Sequence, residues 1–208
     1  MRFSPKASER FSGCGTLSLR MVGGGAFRGV ACRCFSGDGR VVGASSVPDP
    51  YVDATVPDAV FVHGFNYEMW GMNVTAALRE YPMPEVEGLK FYPEIILWDR
   101  MSKRYMTRYF DTPLRIIYDD QENKTTAKVA NTRYRENYYL WLHYLNDLGA
   151  YFGKSPKTFL KAAVGVIRDG LLSERRLGDV LSDIGPAPMR ALALAGLPVA
   201  WVLAKTGK

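Results

Sequence analysis

The sequence predicts a mostly α-helical chain. It has one long amphipathic helix over about 124–149, a short strand or two at most, and an extended amino-terminal arm. Three observations carry this expectation. In 124–149, Ala127, Tyr134, Tyr138, Trp141, Leu145 and Leu148 recur at three- and four-residue steps, which places them on one helical stripe. Several shorter runs repeat the four-residue step. Residues 36–58 are rich in Gly, Ser, Pro and Asp, which favours an extended linker.

The amino terminus differs from the rest. The formal net charge is +6, but residues 1–40 are rich in Arg, Ser and Gly and nearly free of acids. Phe3, Ala7 and Phe11 lie four apart, beside Arg2, Lys6 and Arg10. A basic amphipathic helix of this kind is the physical signature of a mitochondrial transit peptide. Arg33-Cys34-Phe35-Ser36 matches a matrix-protease pattern, with Arg two residues before an aromatic, so cleavage is expected between Phe35 and Ser36. The expected leader, 1–35, holds six of the 27 basic residues and one of the 21 acidic ones. The remainder is 21 against 20, a net +1. Cys14, Cys32 and Cys34 would leave with the leader. Disulfides, thiolate zinc sites, iron–sulfur clusters and thiol catalysis are then excluded.

The expected organisation is a leader (1–35), an arm (36–58), a mainly helical domain (59–185) and an apolar carboxy-terminal segment (186–208). In the helical domain, Ala59–Val62 reads as a short strand ending at His63-Gly64. Asn73 to Tyr81 reads as a helix, stopped by Pro82 and Pro84. Residues 85–94 read as a surface loop, and Ile95 to Trp98 as a buried strand or the lead into a helix. In Asp99 to Phe110, Met101, Tyr105 and Tyr109 share one helical face, flanked by Arg100, Lys103, Arg104 and Arg108. Ser155-Pro156 starts a helix, with Ser as N-cap and Pro at the first position, and Ser173-Glu174 begins another. The last stretch, Ala191 to Ala204, holds no charge but would span only about 21 Å as a helix, against a hydrocarbon core of about 30 Å. It predicts a packed tail helix or an interfacial segment, with Trp201 as the membrane contact; the alternative is a single span that takes in Pro186 to Met189 and Arg190.

Catalytic motifs are sparse. Ala59-Val60-Phe61-Val62-His63-Gly64-Phe65 resembles the strand and His-Gly turn before the oxyanion loop of α/β-hydrolases, over those residues alone. The resemblance implies a Gly-x-Ser-x-Gly elbow further on, and none follows, so no triad can be assembled. His63 and His143 are eighty residues apart and lack metal-ligand spacing. Asp119, Asp120 and Glu122 match no calcium loop. No Walker loop or dinucleotide fingerprint is present, and no cofactor, metal or catalytic residue is expected.

These readings predict a non-catalytic accessory subunit of a mitochondrial inner-membrane complex, such as a respiratory complex or the ATP synthase. Its partners would be other subunits and lipid. Tyr134, Tyr138, Trp141 and Leu145 would form the partner seam, which could equally be the protein's own core. The alternative is a mitoribosomal or RNA-associated matrix protein. There Arg100, Lys103, Arg104 and Arg108 would hold phosphates, with Tyr105 and Tyr109 stacked on bases.

Overall fold

A computed structural model describes residues 26–48, 50–89, 91–118 and 133–206. The chain divides into two units. One is a sheet unit, Met1–Pro82 with Leu97–Glu122; the other is a helical unit, Met83–Ile96 with Asn123–Lys208.

The described residues are 49% helical and 19% strand, an α/β mix rather than a mostly helical chain. The difference lies in two long strands, β1 (Ala26–Ser36) and β4 (Tyr105–Ile117). They pair in parallel from Ala26↔Tyr105 to Ser36↔Ile117, with two register shifts. β3 (Trp70–Asn73) runs antiparallel beside β1, and β2 (Val52–Ala54) antiparallel beside β4, giving the order β2-β4-β1-β3. Helices α1 (Val56–Phe61), α2 (Thr75–Glu80) and α3 (Glu94–Met101) lie in the crossover between the parallel strands. Such a pair requires a long connection.

Both long strands explain how the sequence misleads. In 99–110 the spacing of Met101, Tyr105 and Tyr109 is four, which a helix turn and two strand periods satisfy alike. The deciding residue is Thr107, which is 2% exposed between Tyr105 and Tyr109. The alternation is therefore that of a strand, and only Asp99 to Met101 is helical. β1 was hidden by its arginines, which resemble a leader but are 8% exposed. Arg28 bonds Asn73 and stacks on Trp98, 4.6 Å from the ring centroid.

Arg33 ties β1 to the loop that follows it. Its Nη1 donates to Asp111 Oδ1 at 3.1 Å, and its Nη2 to the Val42 and Gly43 carbonyls at 3.0 and 2.8 Å. Asp111 Oδ1 also accepts the Val47 amide at 2.8 Å. Residues of the expected free arm are thus folded onto the sheet, and Val47 and Ala54 enter a core with Ala31, Ala59, Phe65 and Tyr109. A second cluster joins Ala77, Leu97, Met101 and Tyr105.

Two local expectations change in this unit. Ala59–Val62 is no strand: Thr55 caps a helix there, its Oγ1 accepting the Asp58 amide at 3.2 Å, with a proline in the first turn. Trp70–Asn73 is strand, so the helix that follows is shorter than expected and starts after Val74.

The helical unit holds α4 (Tyr134–Asp147), a 3-10 turn (Gly149–Tyr151), α5 (Pro156–Leu172), α6 (Leu177–Asp183) and α7 (Ala187–Thr206). The long helix is 14 residues within the described range; Ala127 and the rest of 119–132 lie outside it. α5 starts at Pro156 with Ser155 as its N-cap residue. It is the central helix, packed on both α4 and α7, and Phe159, Ala162, Ala163, Val166 and Ile167 are at most 1% exposed. α4 crosses it antiparallel, with Tyr144 on Phe159 (ring centroids 6.2 Å apart) and Trp141 against Gly165. A Cβ at Gly165 would stand 2.6 Å from Trp141 Nε1, so only glycine admits the indole.

Arg33→Ala strips the Val42 and Gly43 carbonyls of this donor and leaves Asp111 with the Val47 amide alone. The expected loss is about 2–4 kcal/mol of sheet-unit stability, read as a lower denaturation midpoint; an unchanged midpoint would show the loop is held otherwise.

Candidate membrane-docking face

The partner-seam residues are largely consumed inside the helical unit. Tyr138 and Leu145 are fully buried, and Trp141 and Tyr134 are partly so. The Trp141 indole donates to Asp169 Oδ2 at 2.7 Å, and Arg168 Nε donates to Asp169 Oδ1 at 2.7 Å. These two charge-assisted bonds hold a carboxylate that has no exposure to water. Tyr138 donates to Asp183 Oδ2 at 2.6 Å, and the Arg175 guanidinium lies 4.5 Å from the Tyr138 ring centroid. Burial, and then the bond to Asp183, pushes the Tyr138 hydroxyl well above the ordinary tyrosine range. Tyr138 and Leu145 are thus core of the helical unit, while Tyr134 and Trp141 stay half-buried.

The basic residues of 100–108 do not form one helical flank. Arg100 lies in the last turn of α3, Lys103 and Arg104 sit in the turn after it, and Arg108 is in β4. Arg104 pairs with Glu80 at 2.8 Å. Arg108 grips Asp53 with two bonds, at 2.7 and 2.8 Å, and stacks on Tyr51. Tyr105 and Tyr109 are 8% and 5% exposed, so neither offers a face to a base.

Neither histidine sits in a ligand cluster. His143 pairs with Asp147 at 2.9 Å within α4, and His63 stacks on Phe65. Among the described residues, no group of three His, Cys, Asp or Glu is placed to hold a metal. Asp119, Asp120 and Glu122 lie outside those residues.

What remains is α7. Its 20 residues amount to about 30 Å, close to the thickness of a hydrocarbon core. No charged residue lies between Arg190 and Lys205. The helix is built inside out. Ala193, Gly196 and Ala200, at steps of three and four, face inward; Ala193 and Ala200 are fully buried. Gly196 meets α5 at Val164, where a Cβ would stand 3.0 Å from Cγ2. The large apolar residues point the other way: Leu194 is 48% exposed, Val199 55%, Trp201 52% and Val202 55%. A surface helix in water normally does the reverse.

Each end of α7 carries a cation. Lys205 Nζ lies 3.5 Å from the Trp201 ring centroid, a cation over an aromatic at the helix end. Arg190 folds back to donate from Nε and Nη2 to the Ile184 carbonyl, at 3.0 and 2.7 Å. The sequence analysis singled out Trp201 but not Leu194, Val199 and Val202, which are exposed beside it. Their signal was the segregation of small from large apolar residues on the two sides of 187–206, which total hydrophobicity conceals.

Compared with known protein families, curated proteins and solved structures, the chain matches none.

The folded chain holds the Tyr138 proton more tightly than the unfolded chain does. Its contribution is complete below about pH 10 and falls as the pH rises further. Tyr138→Phe is expected to cost about 1–2 kcal/mol near neutrality and to flatten the alkaline loss of stability. Urea titrations at neutral and alkaline pH test both; an unchanged alkaline slope would assign that slope to other groups.

Proposed function

We propose that this chain is a non-catalytic accessory subunit of a mitochondrial inner-membrane complex, seated on the membrane by α7. The observation that carries the reading is the outward display of Leu194, Val199, Trp201 and Val202 on a helix whose inner stripe is small. The basic amphipathic pattern of residues 2–11 supports the compartment.

The seating is interfacial rather than spanning. α7 packs on α5, which carries Lys157, Lys161, Arg168 and Asp169 along its length. Drawing the packed pair into hydrocarbon would strand those charges. With α7 in the plane of the interface, its outer face enters the acyl boundary while α5 stays on the aqueous side. The rest of the protein then serves as a platform for neighbouring subunits. Arg104 and Arg108 are already engaged by carboxylates, so the rRNA alternative loses half of its proposed phosphate contacts.

Trp201→Asp and Val202→Asp test the seat. Burying either native side chain in the interface contributes roughly 1.5–3 kcal/mol. Each variant is therefore expected to weaken binding of the full chain to vesicles about tenfold or more in flotation. Thermal stability should be unaffected, because both side chains are exposed. Native-gel profiling of mildly solubilised mitochondria tests the assembly. Co-migration with an oxidative phosphorylation complex is the expected result. An RNase-sensitive particle, or a lone monomer that fails to float, overturns the proposal.

A further inference from the structure

The Arg33-Cys34-Phe35-Ser36 run that resembles a protease site lies inside β1, one of the two inner strands of the sheet. Hydrolysis after Phe35 would remove all of β1 except Ser36. β3 would lose its sheet neighbour and β4 its parallel partner, and Phe27, Ala31, Cys32 and Cys34 would leave the core. Asp111 would lose the Arg33 guanidinium, and the 41–47 loop its anchor. In the folded chain the site is also paired along both edges. Cys34 to Ser36 face Arg115 to Ile117 on one side. On the other, the Val42 amide bonds the Cys34 carbonyl at 2.8 Å, and the Ser36 amide bonds the Arg40 carbonyl at 2.7 Å.

The arginines of 26–36 are likewise accounted for by the fold rather than by an address label. Arg28 lies on Trp98 and Arg33 on Asp111. The basic residues left to a leader are Arg2, Lys6, Arg10 and Arg20, the last of them six positions before β1.

Building on the mitochondrial reading, we propose that the leader is cut between Arg20 and Ala26, so that the mature protein begins just ahead of β1 and keeps Cys32 and Cys34. In the cut, water hydrolyses one peptide bond, leaving a carboxylate on the leader and a new α-amine on the mature chain. Four of the 27 basic and one of the 21 acidic residues depart, leaving 23 against 20, a net +3. The mature protein then contains two thiols, both free and buried. Burial, and the neighbouring Cys34, push the Cys32 thiol up to about 12, so alkylation requires unfolding.

The three cysteines make the test a count. Protein purified from mitochondria is reduced, denatured and alkylated, then measured by intact mass and amino-terminal sequencing. Two alkylated thiols and a first residue from 21 to 26 are expected. No thiols and a start at Ser36 would overturn the cut site while leaving the targeting intact. Three thiols and an uncut amino terminus would overturn both the cut and the mitochondrial reading. A start on either side of the window overturns the proposal, whatever the thiol count.

Discussion

The sheet unit depends on the parallel pairing of β1 with β4. Its partners are about 80 residues apart in the chain, so no local segment can form it alone. The pairing closes only when the crossover, with its two short strands and three helices, has been gathered in. Arg33 is the polar counterpart of that closure. It bonds a carboxylate of β4 and two carbonyls of the loop after β1. A guanidinium suits the place because its fixed fork reaches three acceptors at once.

The helical unit solves a different problem with a similar device. Asp169 sits with no exposure in the last turn of its central helix. Trp141 and Arg168 satisfy both of its oxygens. A buried carboxylate with a donor on each oxygen ties α4 to α5 through one directed bond, from Trp141, which apolar contact alone does not supply. Gly165 enforces the same alignment from the backbone side, because the indole occupies the space of its missing side chain.

What the sequence made legible follows from this physics. α5 was readable from Ser155-Pro156 onward because its start signal is local. Tyr138, Trp141 and Leu145 were readable as one helical stripe, but a stripe does not say what covers it, and the cover proved to be α5 and α6. The sheet was not readable. β1 carries two each of Ala, Cys and Arg and a single β-branched residue, Val30, where buried strands are usually β-branched. Its two arginines find their partners 45 and 78 positions away. In β4 the four-residue spacing of aromatics is degenerate between helix and strand, and only the burial of Thr107 separates them. α7 was legible as apolar, whereas the direction its large residues face depends on the small residues that α5 selects.

The placement of the cysteines gives the two units separate readouts. Every cysteine of the chain lies before residue 35, and none lies in the helical unit. Cys32 and Cys34 are 3% and 0% exposed, so a reagent reaches them only when the β1–β4 pair parts. Trp141, by contrast, reports on the α4–α5 contact through its bond to Asp169. The rate of thiol labelling thus times the opening of the sheet; with Trp70 and Trp98 of the sheet unit and Trp201 of α7 replaced, the remaining indole follows the α4–α5 contact, and the two signals together reveal whether the units open together or in turn.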